Sequence, residues 1–251
     1  MLNAADERRV MDCFGVARAQ VRRDHLISHV LAAIGKHIPD RVLFFGGTAL
    51  SRTVITEGRL SEDIDLIALG DRRSTAEDLQ RAVVTGLRRE YPGLVWQPTL
   101  TEVSDVQPAR IVTADGLSVR VQLLKRIGYP QWPTERRPLE QRYTDAPPVD
   151  LIVPTAASFA AWKTVAWADR QASRDLFDLW SLANAGLIDH GAAGLYRRFG
   201  PTNKPPSANL FTTPPDQTDW TRQLAAQTRL TVTADEALHT VRRAWLDARN
   251  S

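Results

Sequence analysis

Two glycines and a threonine follow an apolar run that is typical of a buried strand. The run is Val42–Phe45, and the three residues are Gly46, Gly47 and Thr48. Glycine lets a backbone approach a ligand without a Cβ in the way. Thr48 lies where a helix cap is expected, so the free N–H groups of the next turn are predicted to face the space above the glycines. The pattern indicates a site shaped for phosphate.

Two aspartates, Asp63 and Asp65, begin a second predicted strand, residues 63–68, whose other members are apolar. Side chains two apart on a strand point to one face and lie about 6.5–7 Å apart along it. The pair can therefore hold divalent ions, which clamp the attacking and leaving oxygens of a phosphoryl displacement. A phosphate cradle followed by this pair indicates a nucleotide-transfer site.

These motifs resemble the nucleotidyltransferase superfamily with the DNA polymerase β-like fold. The longer runs Gly-Gly-Thr-Ala-Leu-Ser-Arg (residues 46–52) and Ser-Glu-Asp-Ile-Asp-Leu (residues 61–66) are similar to the AbiEii/AbiGii toxin branch, which includes the MenT toxins. A later block resembles the same branch: Lys163, then Arg170, then Arg-Asp-Leu-Phe-Asp-Leu at residues 174–179. The resemblance spans about residues 24 to 185.

The resemblance implies an enzyme that transfers a nucleotide from a nucleoside triphosphate, with release of pyrophosphate and with Mg²⁺ or Mn²⁺ as cofactor. It implies metal binding by Asp63 and Asp65, phosphate binding by Gly46, Gly47 and Thr48, charge compensation by Arg52 and Lys163, and support of the site by Asp175. Asp178, Arg174 and Gln122 are further candidates for supporting roles.

The resemblance also implies partners. MenT-like relatives add nucleotides to the 3′ end of tRNA, which blocks aminoacylation, and a cognate AbiEi-like antitoxin opposes them. The expectation is a toxin of that kind. Two alternatives stay open: transfer to a protein hydroxyl or a small molecule, and a nucleotide-binding module without turnover.

The predicted elements fit an α/β (α+β) fold, with a mixed-sheet nucleotidyltransferase lobe and a C-terminal helical lobe. Strands are predicted at residues 42–45, 63–68, 94–100, 109–113, 117–124 and 150–154. Helices are predicted at residues 4–19, 21–37, 48–57, 75–90, 173–185 and 233–249, and after Thr155 around Lys163. The expected caps are Ser74 for the helix at residues 75–90, Thr155 for the helix around Lys163, and a capping box of Thr233 and Glu236 for the last helix. The expected lobes are residues 1–148, with N-terminal helices, and residues 149–251.

Several of these residues have a second interpretation. Arg52 lies one helical turn after Thr48 and either reaches a triphosphate or is a surface arginine. Lys163 either offsets phosphate charge or covers an apolar helix face with its stem. Asp175 and Asp178 come early in their predicted helix, where acids commonly serve the helix dipole. Arg174 can hold one of these acids in place.

The predicted strand at residues 117–124 lacks an expected group. Polymerase β-like enzymes usually carry a third metal-binding carboxylate on such a strand, and here Gln122 stands at that position. Glutamine contributes no charge to a magnesium site. Three explanations remain: one metal suffices, another acid such as Asp175 or Asp178 substitutes, or the site is impaired.

Residues 125–148 form a long, proline-rich and basic stretch with interleaved aromatic residues, Tyr129, Trp132 and Tyr143. Aromatic rings among cations suit an RNA end, since bases stack on rings while cations hold phosphates. The alternative is a solvated connector between lobes.

Three histidines, His25, His29 and His37, lack companion ligands in the sequence, which favours solvated or capping roles.

Composition limits the class of protein. The chain has 251 residues, 43% hydrophobic and 24% charged, which suits one or two globular domains. Its net charge of +3 permits a nucleic-acid partner without requiring one. A single cysteine, Cys13, excludes an internal disulfide and fits a reducing cytoplasm. No apolar run is long enough for a membrane helix, and residues 1–9 do not resemble a secretory signal. The expectation is a cytoplasmic protein without a membrane partner.

Overall fold

Two helices open the chain in the computed structural model, which describes residues 1–250. The first, α1 (Ala4–Phe14), begins at an Asn3 cap that accepts from the Asp6 amide and ends at Gly15, which adopts a positive φ of 66°. The second, α2 (Arg18–His37), buries one long apolar stripe, including Leu26, Ile27, Val30, Leu31 and Ile34. Residues 15–17 separate the two helices, which were predicted as residues 4–19 and 21–37.

A seven-stranded mixed sheet follows. Its strands are β1 (Val42–Phe45), β2 (Asp63–Ala68), β3 (Val95–Trp96), β4 (Ala109–Val112), β5 (Ser118–Leu124), β6 (Thr134–Pro138) and β7 (Asp150–Pro154). Their spatial order is β3-β4-β5-β2-β1-β7-β6. Because β2 and β1 are central, their side chains are covered on both sides, and Phe44, Ile64 and Leu66 are fully buried.

The registers of the central strands place the motif residues side by side. β1 runs antiparallel to β2 and sets Phe45 opposite Asp65. β5 runs parallel to β2 and sets Arg120 opposite Asp63 and Gln122 opposite Asp65. The two aspartates therefore have β5 side chains as direct neighbours.

The remaining helices are α3 (Gly46–Thr53), α4 (Arg72–Leu87), α5 (Ala156–Arg170), α6 (Ser173–Asn184), α7 (His190–Phe199), α8 (Gln217–Leu224) and α9 (Ala234–Asn250), with a short 3₁₀ helix at Ala208–Phe211. The predicted Thr155 cap of α5 is confirmed, since its side chain accepts from the Ser158 amide. The predicted capping box of α9 is confirmed by reciprocal hydrogen bonds between Thr233 and Glu236. The predicted Ser74 cap of α4 is wrong, because Asp71 is the cap and its side chain accepts from the Ser74 amide.

The chain divides into two compact units. Unit 1 contains Met1–Tyr129 and Glu135–Val153, and unit 2 contains residues 130–134 and the chain from Pro154 onward. Unit 1 holds almost all of the sheet with α1–α4, and unit 2 holds α5–α9 around Trp167, Trp220 and Trp245, which are buried. The predicted boundary after residue 148 lies before β7, whereas the division follows Val153, because β7 pairs with β1.

The fold is the predicted mixed α/β class, with a mixed sheet and a helical C-terminal part. The predicted strand at residues 94–100 shortens to β3, and β6 lies in the basic, proline-rich stretch at residues 125–148, where no strand was predicted. In residues 1–250, no helix combines the length and the apolar character needed to cross a membrane.

Candidate active site

The turn from β1 into α3 brings the backbone directly onto Asp65. Gly46 has a φ of +81°, and a Cβ placed there would lie 2.2 Å from the Asp65 Oδ2 atom. Only glycine fits both the conformation and the space. The N-terminus of α3 and one carboxylate of β2 are therefore in contact.

Gly47 allows a second close approach. A Cβ at this position would lie 2.6 Å from an Arg59 guanidinium nitrogen and 3.1 Å from the Ser61 hydroxyl. Arg59 is buried, with 4% of its surface exposed. In the sequence, residues 57–61 are typical of a turn, and Arg59 was not predicted as a cation of this site. An arginine immediately before an Asp-x-Asp strand is the signal that could have indicated it.

Thr48 lies inside α3, within its first turn. The cap residue is Phe45, which has extended backbone and makes no side-chain cap, so the predicted capping role of Thr48 is wrong. Its hydroxyl instead donates to the carbonyl oxygen of Asp63. This bond joins the start of α3 to the start of β2. The N–H groups of the first turn have no partner within their own helix, which is the usual basis for anion binding at a helix N-terminus.

The two carboxylates of β2 have different neighbours. Asp63 accepts two hydrogen bonds from Arg120, from Nε at 2.7 Å and from a terminal nitrogen at 2.6 Å. Asp63 raises the pKa of Arg120 through these bonds, which outweigh the effect of burial. Both aspartates are half-buried, and Asp65 lies against Gly46. Arg120 was also missed by the sequence analysis, and the parallel β2–β5 register is what brings it to Asp63.

Gln122 lies beside Asp65 in the sheet, at the position considered for a third carboxylate. Its amide nitrogen donates to the Val106 carbonyl oxygen at 2.9 Å. The side chain is thus hydrogen-bonded to the segment before β4, and β5 itself carries no acid. A third carboxylate of the metal site stays an open prediction.

Unit 2 contains a separate charged cluster around Lys163 of α5. Its ammonium lies 2.6 Å from the Asp178 Oδ2 atom and 3.3 Å from the Asp175 Oδ1 atom. Asp175 is fully buried and also accepts two hydrogen bonds from Arg170, at 2.6 and 3.0 Å. Burial would raise the pKa of Asp175, but Lys163 and Arg170 together lower it. The acid is held ionised between two cations.

Comparison with known proteins identifies the chain. The sequence matches the family described as nucleotidyl transferase AbiEii toxin, of a type IV toxin–antitoxin system, over residues 30–245. The chain belongs to the AbiEii family. This AbiEii protein is therefore a nucleotidyltransferase of a toxin family.

Two solved nucleotidyltransferase structures have a fold similar to that of this AbiEii protein. MenT4, a nucleotidyltransferase toxin from Mycobacterium tuberculosis H37Rv, superposes with a TM-score of 0.65 at 17% identity, covering 94% of this chain and 85% of MenT4. A candidate nucleotidyltransferase from H. pylori superposes with a TM-score of 0.50 at 14% identity, covering 94% of this chain and 95% of that one. No curated protein matches the sequence.

The two aspartates of β2 are suitable ligands for the divalent ion that nucleotidyltransferases generally use. Magnesium and manganese prefer oxygen ligands, and Mg²⁺ typically takes one or two carboxylates with water and substrate phosphates. Asp63 and Asp65 provide such a pair at the N-terminus of α3. Arg120 donates one hydrogen bond to each oxygen of Asp63, and each oxygen keeps a lone pair that could bind a metal. Arg120 is half exposed and has room to move.

Arg52 does not occupy the position predicted for it. It is fully buried, and its guanidinium lies 2.7 Å from the Asp24 Oδ1 atom and 2.9 Å from the Glu140 carbonyl oxygen. These bonds join α3 to α2 and to the segment after β6. We therefore replace the prediction that Arg52 binds triphosphate with a structural role. Its guanidinium is buried and already paired with Asp24 inside unit 1.

Two further predictions for AbiEii residues change. The bond to Asp175 that was considered for Arg174 is made by Arg170. In the stretch at residues 125–148, Trp132 and Tyr143 are buried, and so is Arg142. Buried rings have no face for an RNA base, so the geometry favours a packed connector over a stacking surface there.

Proposed function

We propose that this AbiEii nucleotidyltransferase moves a nucleotide from a nucleoside triphosphate to the 3′ end of tRNA, so that aminoacylation and translation stop. One observation carries the proposal: the Gly46 turn at the N-terminus of α3 lies against the Asp65 carboxylate. A phosphate group bound to the first-turn N–H groups would thus have a metal-binding carboxylate as its neighbour.

The proposed site residues fall into groups, and each group has its own task. Gly46, Gly47 and Thr48 bind phosphate oxygens through their backbone N–H groups. Asp63 and Asp65 would hold Mg²⁺ or Mn²⁺, which stabilises charge on the transferring phosphoryl group and orients it. Lys163 is the cation that balances triphosphate charge, and Asp175 and Asp178 position its ammonium. The acceptor hydroxyl attacks the α-phosphorus, and pyrophosphate leaves.

The biological setting follows from the family. A type IV toxin–antitoxin family implies a cognate antitoxin, and we propose an AbiEi-like protein for that role. We place the activity in the cytoplasm, where nucleoside triphosphates and tRNA are found. The similar solved structures are nucleotidyltransferases, and tRNA as acceptor is a proposal that rests on the resemblance to the MenT toxins.

The test is incubation of the purified protein with magnesium, total tRNA and each of the four α-labelled nucleoside triphosphates in turn. We expect label on tRNA from at least one nucleotide, and loss of that label in Asp65→Asn, which keeps the shape of the side chain and removes its charge. The matched control is Glu62→Gln on the neighbouring residue, which pairs with Arg23 and should keep most of the activity.

The other outcomes are equally specific. Label on protein or on a small molecule, but none on tRNA, would assign the enzyme a different acceptor. Nucleotide binding without pyrophosphate release would identify a silent binding module, in line with the missing carboxylate at Gln122. Equal labelling by wild type and Asp65→Asn would contradict the proposed site itself.

A further inference from the structure

A second group of metal-ligating side chains lies in unit 1 and shares no residue with the β2 carboxylates. Its members are His25 and His29 on α2, Glu90 after α4, and Asp145 between β6 and β7. One ligand atom from each lies within 4.8 Å of the others. The sequence analysis expected solvated or capping histidines, but His25 is 2% exposed. The acidic ligands Glu90 and Asp145 were not predicted from the sequence, because they are 65 or more positions away from His25 along the chain.

Three of the four donors in this cluster are spaced almost as the ligands of a tetrahedral ion are. The His25 Nε2 atom lies 3.3 Å from the His29 Nε2 atom and 3.1 Å from both Asp145 oxygens. The His29 Nε2 atom lies 3.6 Å from the Asp145 Oδ2 atom. Ligands about 2.0–2.2 Å from a tetrahedral Zn²⁺ are separated by roughly 3.3–3.6 Å. The spacing of three donors is therefore nearly that of a zinc site.

The imidazole of His25 is oriented by a further hydrogen bond. Its Nδ1 atom lies 2.5 Å from the Tyr91 hydroxyl. When Nδ1–H donates to that oxygen, the lone pair of Nε2 points toward Asp145 and His29. Metal-binding histidines commonly use their second nitrogen in this way, which fixes the tautomer.

The cluster is chemically suited to an ion, and a cavity reaches two of its members, His25 and Glu90. Burial, together with neighbouring His25, lowers the pKa of His29, and a metal binds the neutral form of the ring. A cavity of about 360 Å³ is lined by His25, Glu90 and Tyr91. The α-amino group of Met1 lies 2.5 Å from Glu90 and 2.9 Å from Asp145. This ammonium group neutralises both acids, and a bound Zn²⁺ would take its place beside them.

We propose that His25, His29, Asp145 and Glu90 form a structural Zn²⁺ site. Two imidazoles with carboxylates and no thiolate suit zinc rather than magnesium or calcium, which prefer oxygen ligands alone. The ion would join α2 to the chain after α4 and to the segment before β7. It stabilises unit 1 and takes no part in nucleotide transfer.

The experiment is a zinc titration of the full chain against a chromophoric chelator, with excess Mg²⁺ present to occupy oxygen-only sites. We expect about one Zn²⁺ per chain and a higher melting temperature with zinc bound. His29→Gln should weaken zinc binding by at least about tenfold. The matched control is His37→Gln on the same helix, which is exposed and should leave binding unchanged.

Two further measurements keep the proposal falsifiable. Asp145→Asn repeats the test if His29→Gln does not fold, as judged by circular dichroism. Co²⁺ in place of Zn²⁺ should give the strong visible absorption of a tetrahedral site, and His29→Gln should lose it. Absence of zinc binding would overturn the proposal. So would zinc binding that survives His29→Gln and Asp145→Asn but disappears in Asp65→Asn, since the ion would then belong to β2.

Discussion

Gly46 is distinguished from other glycines at positive φ by what surrounds it. Gly116, in the β4–β5 hairpin, has a φ of +82°, nearly the same as the +81° of Gly46, but a Cβ there would meet nothing within 4 Å. An L-residue at either position is strained by about 1–2 kcal/mol. At Gly46 the new methyl group must also displace Asp65.

We therefore predict that Gly46→Ala reduces nucleotide transfer by about a hundredfold or more, since displacing a catalytic group by about 1 Å has that effect. Gly116→Ala should share the backbone strain and keep its activity. The measurement is the initial rate of label transfer, alongside denaturant unfolding of both variants. Equal activity losses would mean that backbone strain, and not the contact with Asp65, explains the need for glycine.

Arg120 is bonded to Asp63, the carboxylate that we propose as a metal ligand. Its guanidinium holds both carboxylate oxygens, and its positive charge disfavours a nearby divalent ion. We predict that Arg120→Gln lowers the Mg²⁺ concentration for half-maximal activity several-fold, since one unit charge at short range is worth about 1 kcal/mol or more near a protein surface.

The control for Arg120 is its cross-strand neighbour. Arg110 lies opposite Arg120 on β4 and is exposed, so Arg110→Gln removes the same charge without touching Asp63. Its magnesium dependence should match wild type. If Arg120→Gln instead requires more Mg²⁺, the arginine assists metal binding and does not compete with it.

At the scale of elements, α5 and α6 are joined by the charges around Asp175. Lys163 and Arg170 come from α5, and the acid comes from the first turn of α6. Asp175→Asn leaves two cations facing a neutral amide. Removing one partner of a buried pair costs about 3–5 kcal/mol, and we expect the lower end, because Arg170 is largely exposed and can be rehydrated.

The lowered pKa of Asp175 also predicts acid sensitivity. A folded-state pKa below the unfolded value of about 3.9 stabilises the protein above that pH, and this stabilisation is lost as the pH falls through the folded pKa. The unfolding free energy of wild type should thus fall more steeply below pH 4 than that of Asp175→Asn. Urea unfolding at neutral and acidic pH measures this.

The control for Asp175 is a surface ion pair in the same unit. Asp219 pairs with Arg222, and both side chains are exposed, so Asp219→Asn should change the unfolding free energy by less than about 1 kcal/mol at either pH. A similarly small change in Asp175→Asn at neutral pH would contradict the structural importance of the α5–α6 charges.

At the scale of the whole molecule, a buried network connects residues that are far apart in sequence. Asp24 accepts from Arg52 at 2.7 Å, from Arg142 at 3.4 Å and from the Tyr143 hydroxyl at 2.9 Å. Burial, together with Arg52, lowers the pKa of Arg142 to about 10, so it stays charged at neutral pH. Asp24 thus holds α2, α3 and the segment after β6 together.

This network separates a structural Arg52 from one that binds phosphate. We predict that Arg52→Gln lowers the unfolding free energy by about 3–5 kcal/mol while the KM for nucleotide, measured on the folded fraction, stays nearly unchanged. Asp24→Asn should produce the same combination. A large rise in KM for Arg52→Gln alone would restore the predicted phosphate contact.

The sequence alone determined the parts of the protein that depend on local order. Strands β1, β2 and β7 were predicted at their observed bounds, because short apolar runs flanked by glycine, acid or proline indicate strands without any distant information. The glycine turn at residues 46–48 and the Asp63–Asp65 pair could also be predicted, since their geometry depends on neighbours along the chain. The family followed from the same motifs.

Tertiary structure decided how the side chains are used. Arg120 reaches Asp63 only through the parallel β2–β5 register. Arg52 bonds to Asp24 only because the fold brings these side chains of α3 and α2 within hydrogen-bond distance. The cluster of His25 and His29 acquires its acids from segments that are distant in sequence. In each case the partner of a charge is set by through-space distance, which the order of residues along the chain does not specify.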